Sequence, residues 1–234
     1  MIQAVLFDLD ETLLDLNGDL FLEAYIDALA EFMPPLMAPD QFRQALWSAA
    51  ASLGPAHPEM TNAEMIWTSI GAQTGHPPDQ VATRVRAFTQ TDLSLILPEG
   101  GPVAGARSAV ESAQAAQLKV VVATNPIYPP EVIHERLRRA QLDDIEWDAI
   151  ATWDFHSTKP YPAYYVEWTR RLQLAADECL MVGDDYFNDI PARDIGMQTF
   201  YVGAPLTGID VGPSGSLIDL ATRIRADHTS GQKT

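Results

Sequence analysis

The stretch IQAVLFDLDET, residues 2–12, decides the fold. Its first part is a short apolar run, which is typical of a buried strand, and the run ends at two acids, Asp8 and Asp10. Ligands bind beyond the carboxyl ends of the strands in open parallel sheets, so acids at this point indicate a site as well as a strand. A role in the turn or in capping a helix is the alternative explanation for the two acids.

Similar apolar runs recur along the chain, with helical patterns between them. The runs lie at residues 119–123, 179–182 and 199–202, with a weaker one near 148–152. The helical patterns lie at residues 103–117, 130–140 and 163–172. Short apolar strands that alternate with helices predict an α/β fold, a Rossmann-like parallel sheet with helices on both faces.

One long segment after the first strand breaks this alternation. It contains helical patterns at 20–32, 39–52, 61–74 and 79–92, separated by Pro and Gly. We therefore predict an α-helical cap domain at residues 16–97 and a catalytic core formed by residues 1–15 and 98–227. A last helix is expected at residues 216–225, followed by a frayed polar tail at residues 228–234.

Composition narrows the classes of function and the compartment. The formal net charge of −17 argues against nucleic acid and anionic membranes as partners. A single cysteine, Cys179, allows no intramolecular disulfide. The N-terminus lacks the pattern of a signal peptide, and no apolar run approaches the roughly 20 residues that span a membrane. A cytoplasmic protein is expected, whereas the sequence does not indicate its oligomeric state.

A second group of acids follows the apolar run at 179–182, in the stretch GDDYFND at residues 183–189. If this loop meets the loop of Asp8, four or five carboxylates share one cleft, which requires a hard cation. Oxygen ligands favour Mg²⁺, and the five histidines of the chain show no metal-ligand spacing. The alternative for Asn188 or Asp189 is to cap the following helix.

Two further positions have the chemistry to hold an anion. Thr124 and Asn125 follow the run at 119–123, and a hydroxyl, an amide and free backbone N–H groups there suit phosphate oxygens. Lys159 precedes a helical pattern and is one of only three lysines in the chain. The alternatives are an ordinary turn at Thr124-Asn125 and a solvated charge at Lys159.

Taken together, four motifs resemble those of the haloacid dehalogenase superfamily, specifically its phosphatase branch. The motifs are Asp-x-Asp-x-Thr, a Thr or Ser that ends a strand, a Lys that often precedes Pro, and Gly-Asp-x-x-x-x-Asp. The matching residues are Asp8, Asp10 and Thr12, then Thr124, then Lys159 and Pro160, and finally Gly183, Asp184 and Asp189. The match covers residues 2 to about 203, with one departure, because Glu11 stands where the family commonly has Gly.

The resemblance implies a role for each matching residue. Asp8 would attack phosphorus and form an aspartyl-phosphate, and Asp10 would act as general acid and base. Thr124 and Lys159 would hold the phosphoryl oxygens. Mg²⁺ would be bound by Asp8, by the backbone carbonyl of Asp10 and by Asp184. Asp189 would support the metal or orient Lys159, with Asp185 as its alternative.

The implied activity is Mg²⁺-dependent hydrolysis of a small phosphomonoester, and other branches of the superfamily fit less well. Asp10 argues against a dehalogenase, and a predicted cap without lysine argues against phosphonate cleavage and sugar phosphomutase activity. The alternatives are a phosphotransferase or dehalogenase of the same superfamily, or a non-catalytic scaffold or regulatory protein that keeps the fold. Within the predicted cap, Arg43 is the candidate for substrate binding.

Overall fold

The sheet has the class and the strand direction that the sequence predicts. The computed structural model describes residues 1–54, 56–95 and 97–231. Its strands are β1 (Ala4–Phe7), β2 (Leu14–Asp15), β3 (Gly101–Pro102), β4 (Lys119–Val122), β5 (Ala149–Ile150), β6 (Cys179–Gly183) and β7 (Gln198–Tyr201). The main sheet has the order β5-β4-β1-β6-β7, and all of its pairs are parallel. The first strand of the chain therefore lies at the centre of the sheet.

The helices lie close to the positions that the sequence predicts. They are α1 (Gly18–Phe32), α2 (Pro39–Ser52), α3 (Asn62–Thr74), α4 (Pro78–Thr89), α5 (Ala106–Ala115), α6 (Pro130–Arg139), α7 (Pro162–Leu172) and α8 (Leu217–Gly231). Helix α8 continues past the predicted end at residue 225 and takes up part of the predicted tail, while residues 232–234 lie outside the described residues. None of the described helices is long and apolar enough to cross a membrane.

Helices cover both faces of the sheet. Successive residues of a strand point to opposite faces, so neighbouring residues of β1 contact different helical layers. Val5 and Phe7 of β1 belong to a large buried cluster that includes Val110 of α5. Leu6, between them, belongs to a second cluster with Trp168 of α7. The strands are therefore apolar throughout, and the predicted layers of helix on each side of the sheet are confirmed.

A short antiparallel pair, β2 with β3, was not predicted. Leu14 pairs with Pro102, and Asp15 pairs with Gly101. Each strand has two residues, which is too short to show an alternating pattern in the sequence. The pair brings together the two ends of the segment that contains α1–α4, which we call the helical insert. That the insert is a separate domain with bounds 16–97 stays a prediction.

Local sequence signals start the helices of the insert. The side chain of Asn17 accepts a hydrogen bond from the Leu20 amide at 3.0 Å at the start of α1. Thr61 and Glu64 form a reciprocal capping box at the start of α3. Helices α2 and α4 begin with proline in the first turn instead, at Pro39 and Pro78, so each of the four helical patterns has a local start signal.

Asn62 of α3 connects the insert to two loops at the edge of the sheet. This side chain is completely buried, and its amide donates to the carbonyls of Pro126, at 2.9 Å, and Ser157, at 3.0 Å. Nearby, the Ser157 hydroxyl donates to the carbonyl of Gly54 at 2.9 Å. Pro126 and Ser157 lie in the loops that carry Thr124 and Lys159, so Asn62 joins the insert to both loops.

We expect Asn62→Ala to lower the free energy of unfolding by roughly 2–3 kcal/mol, because two buried carbonyls lose their donor. Urea denaturation monitored by circular dichroism measures this change. Thr61→Ala is the control, since it weakens only the start of α3 and should cost about 1 kcal/mol. Equal losses for the two variants would contradict a bridging role for Asn62.

Candidate active site

The carboxyl ends of β1, β4 and β6 open into a cleft of about 420 Å³. Six of the residues that the sequence singled out line it: Asp8, Asp10, Thr124, Asn125, Lys159 and Asp184. They meet because β1 lies between β4 and β6, so loops that are far apart in the sequence leave the same edge of the sheet. The convergence of the acidic loops, on which the sequence argument depended, is present.

Lys159 forms ion pairs with two of the acids at the base of the cleft. Its Nζ donates to Asp8 Oδ1 at 2.8 Å and to Asp189 Oδ1 at 2.6 Å. The side chains of Lys159 and Asp189 are almost completely buried, whereas that of Asp8 reaches the cleft. Charge-assisted bonds of this length fix the Asp8 carboxylate in one orientation.

Burial and charge act in opposite directions on this group. Burial alone lowers the pKa of Lys159, but Asp189 and Asp8 outweigh it, and the pKa of Lys159 lies well above its ordinary value. Burial raises the pKa of Asp189, and Lys159 opposes that rise. Lys159 is therefore a permanent cation, as a role in balancing charge requires.

Asp184 completes a group of acids that could hold a metal ion. Carboxylate oxygens of Asp8, Asp184 and Asp189 all lie within 4.8 Å of one another. Burial, with repulsion from Asp8, raises the pKa of Asp184 to about 6, although a hydrogen bond of 2.8 Å from the Thr12 hydroxyl opposes the rise. A set of oxygen ligands only is the chemistry that hard divalent cations prefer, so the residues fit Mg²⁺.

Asp185 and Asp189, the two candidates for supporting the metal, have different hydrogen-bond partners. Asp185 Oδ1 accepts from the backbone amides of Phe187, at 2.7 Å, and Asn188, at 3.2 Å, so its carboxylate closes a turn. Asp189 Oδ2 accepts from the Asp185 amide at 3.0 Å, while its other oxygen faces Lys159. Asp189 is therefore the acid that joins the group around Asp8.

The loop after β4 offers hydrogen-bonding groups to the cleft. Thr124 is buried, and its carbonyl accepts from the Tyr164 hydroxyl at 2.9 Å, which fixes the loop against α7. The side-chain oxygen of Asn125 is buried and has no partner among the described residues. An unpaired acceptor at a cleft wall is available to a bound molecule.

Arg43 does not take part in this arrangement. It lies on α2, where it pairs with Asp27 at 2.8 Å and Asp40 at 2.7 Å, and it is not among the residues that line the cleft. We therefore assign no substrate contact to Arg43. Its ion pairs are exposed and of the kind that contributes little to stability.

Arg136 of α6 is a site residue that the sequence does not identify. It is completely buried, and its guanidinium binds both carboxylate oxygens of Asp10, with 3.1 Å between Nε and Oδ1. It also lies over the rings of Phe21, at 4.9 Å, and Tyr128, at 5.0 Å. A signal was present, because Arg136 occupies the same face of α6 as the buried Val132 and therefore stands at a core position.

The pair with Arg136 sets the environment of Asp10. Burial raises the pKa of Asp10, and the Coulomb attraction and hydrogen bonds of Arg136 act against that rise. Because Arg136 approaches from the protein interior, the carboxylate of Asp10 stays at the cleft surface.

Glu11, the departure from the motif, adopts a backbone conformation that favours glycine. Its φ is +54°, in the left-handed region, which costs a residue with a side chain roughly 1–2 kcal/mol. Glycine adopts a positive φ without this cost, which explains why the family commonly has glycine at this position. Glu11 is exposed, and its side chain adds a further acid to the lining of the cleft.

A family model for haloacid dehalogenase-like hydrolases matches residues 2–193. The chain belongs to this family and is a hydrolase by that membership. The match includes every residue of the four motifs, so the predicted superfamily is confirmed.

Similar proteins of this family carry out more than one reaction. The chain is 25% identical over 207 residues to the pyrophosphatase PpaX of Anoxybacillus flavithermus, covering 88% of this chain and 86% of the relative. Its fold is similar to a HAD phosphatase from Thermococcus onnurineus, with a TM-score of 0.55, 17% identity, and 95% and 98% of the two chains covered. It is also similar to the L-2-haloacid dehalogenase of Xanthobacter autotrophicus, with a TM-score of 0.52, 19% identity, and 96% and 99% covered.

The site predicts a strict requirement for glycine at residue 183. A Cβ there would lie 2.0 Å from Asp189 Oδ2, so Gly183→Ala must displace that carboxylate and should cost roughly 1–3 kcal/mol. Gly101→Ala is a matched control, because a Cβ at Gly101 meets nothing within 4 Å. Urea denaturation of both variants measures the difference, and equal stabilities would contradict the close approach.

Proposed function

We propose that this hydrolase cleaves small phosphomonoesters with Mg²⁺ and that Asp8 is its nucleophile. The observation that carries the proposal is the position of the Asp8 carboxylate. It faces the cleft, is held by Lys159 at 2.8 Å, and lies within 4.8 Å of carboxylate oxygens of Asp184 and Asp189. An oriented carboxylate with permanent positive charge beside it is suited to attack a phosphate, which is itself an anion.

The group around Asp8 also supports the proposed metal. Asp8, Asp184 and Asp189 would hold Mg²⁺, with the backbone carbonyl of Asp10 as the ligand that the family resemblance adds. The ion supplies positive charge that offsets the repulsion between the Asp8 carboxylate and the phosphate.

The first step forms a bond between Asp8 and phosphorus and breaks the bond from phosphorus to the ester oxygen. Asp10 donates a proton to that leaving oxygen, and the raised pKa of Asp10 suits this role. Lys159 and the hydroxyl of Thr124 hold the phosphoryl oxygens while their charge is redistributed. The products of this step are the alcohol and an aspartyl-phosphate.

The second step uses Asp10 as a base. A water molecule gives a proton to Asp10 and attacks phosphorus, which releases inorganic phosphate and restores the Asp8 carboxylate. Arg136 holds Asp10 from the interior in both steps, so that the same carboxylate serves the leaving alcohol and the incoming water. Hydrolysis of pyrophosphate is the second candidate, because the relative from Anoxybacillus flavithermus is named a pyrophosphatase.

Asp8→Asn is expected to lower kcat for phosphate release from p-nitrophenyl phosphate by roughly a thousandfold or more, because an amide cannot act as the nucleophile. The measurement compares Mg²⁺ with a chelator, and the urea midpoint shows that the variant is folded. Asp227→Asn is the control, since the Asp227 side chain is 77% exposed on α8. Turnover that survives in folded Asp8→Asn would refute this nucleophile.

Binding of Mg²⁺ is expected to weaken below pH 6, because Asp184 must lose its proton to bind metal and its pKa is about 6. This folded pKa is raised above the unfolded one. Without metal, ionisation of Asp184 therefore lowers stability as pH rises toward 6, and Mg²⁺ reverses that loss. Calorimetric titration should give an affinity roughly tenfold lower near pH 5 than near pH 7.5. Asp184→Asn, which lacks one of the proposed ligands, should bind Mg²⁺ weakly at both pH values, and a wild-type affinity that does not change with pH would contradict the assignment.

A further inference from the structure

The cleft has the size of an ordinary small-molecule site. Its volume of about 420 Å³ lies toward the lower end of the range of roughly 300–1,000 Å³ for small-molecule sites. The group that Asp8 and Lys159 would hold occupies the base, between the loops after β1, β4 and β6. The rest of the cleft, nearer to solvent, remains for the leaving alcohol.

The charges around that outer part are negative. Glu11, Asp19 and Asp185 line the cleft in addition to the acids at its base. Among the described residues that line the cleft, Lys159 is the one cation, and it already pairs with Asp8 and Asp189. A second phosphate or a carboxylate on the substrate would therefore face acids without a cation to pair with.

Arg136 does not change this conclusion. It is completely buried behind Asp10, it is not a lining residue, and its guanidinium is engaged with both oxygens of Asp10. Arg43 is paired with acids of the insert. The hydrogen bonds of Asn62 connect the insert to the loops of the cleft, so the insert is held in place relative to the cleft wall.

Apolar side chains also line the cleft, together with Tyr128, Tyr186 and Tyr201. Leu22 comes from α1, Ile127 from the loop after β4, Phe187 from the loop after β6, and Leu206 from the segment after β7. Phe187 is 74% exposed and makes an edge contact with Tyr186 at 5.4 Å between ring centroids. An exposed aromatic ring at a cleft mouth is a contact surface for an apolar group.

We infer that the substrate is a phosphomonoester of an apolar alcohol or phenol that carries no negative charge. The apolar part contacts Leu22, Ile127, Phe187 and Leu206, and the acids at the rim reject leaving groups with a carboxylate or a second phosphate. This inference rests on the proposed phosphohydrolase activity and deepens it. It also predicts that pyrophosphate is a poor substrate, unlike what the name of the relative from Anoxybacillus flavithermus says of that protein.

The test compares kcat/KM for phenyl phosphate, 4-carboxyphenyl phosphate and pyrophosphate with Mg²⁺ present. The first two esters differ by one carboxylate, and the carboxylate makes the leaving group better, so slower cleavage of that ester reports recognition rather than chemistry. We expect phenyl phosphate to exceed 4-carboxyphenyl phosphate by about tenfold or more, with pyrophosphate lowest. Equal values, or a preference for either of the more anionic substrates, would overturn the inference.

Two variants test the two parts of the wall separately. Asp19→Lys should raise kcat/KM for 4-carboxyphenyl phosphate relative to phenyl phosphate several-fold, because it places a cation at the rim. Phe187→Ser should raise KM for phenyl phosphate with little change in kcat. Ile218→Ser is its matched control, because Ile218 is 55% exposed on α8 and does not line the cleft. Unchanged substrate ratios in Asp19→Lys, or equal effects of the two serine variants, would contradict the inference.

The wild-type measurements separate failure of the inference from failure of the proposed function. Turnover of the esters that depends on Mg²⁺ and Asp8, without a preference against the carboxylate, would leave the function standing and reject the substrate class. No Mg²⁺-dependent phosphate release from any of the three compounds by folded protein would reject both.

Discussion

Repulsion between carboxylates at one edge of the sheet is the constraint on which the site depends. Asp8 and Asp189 are brought together by Lys159, and Asp10 is held by Arg136. Both cations are buried, where a charge is stable only with close partners of opposite sign. In a chain of net charge −17 with three lysines, these two cations make the crowding of acids possible.

The same constraint links catalysis to substrate choice. Because Lys159 and Arg136 neutralise acids of the protein itself, neither is available to pair with a distant charge on the substrate. The outer cleft therefore has the acidic character of the whole chain, alongside apolar side chains such as Phe187. The proposed recognition of a phosphoryl group and the inferred rejection of other anions would have a single electrostatic origin.

Much of the fold and of the site was predictable because the informative residues are local signals. Apolar runs that end in Asp8 and Asp184 mark strand exits, and the parallel topology then brings those exits together. Arg136 was not predicted as a site residue because, although it shares a helix face with Val132, its partner Asp10 is 126 positions away and nothing in the sequence links the two. Arg43 had the right charge for a substrate contact, but only the packed structure shows its nearer acidic partners.

Backbone conformation and contacts between distant segments could not be predicted from the sequence either. The sequence shows that Glu11 replaces a common glycine, but only the structure shows the positive φ that gives the replacement its cost. Asn62 lies in the helical pattern at residues 61–74, and nothing in its neighbours indicates carbonyl partners at 126 and 157. The pair of β2 and β3 was too short for a pattern.

The central position of β1 has a consequence for how the chain is made. Ala4 pairs with Lys119 on one side and with Cys179 on the other, so β1 leaves the ribosome well before either of its partner strands and is paired late. Such non-local pairing slows folding, because a long loop must close before any contact compensates for its entropy. Until β6 emerges, the apolar run at residues 4–7 has an open edge, and a nascent chain in this state is exposed to aggregation and to chaperones.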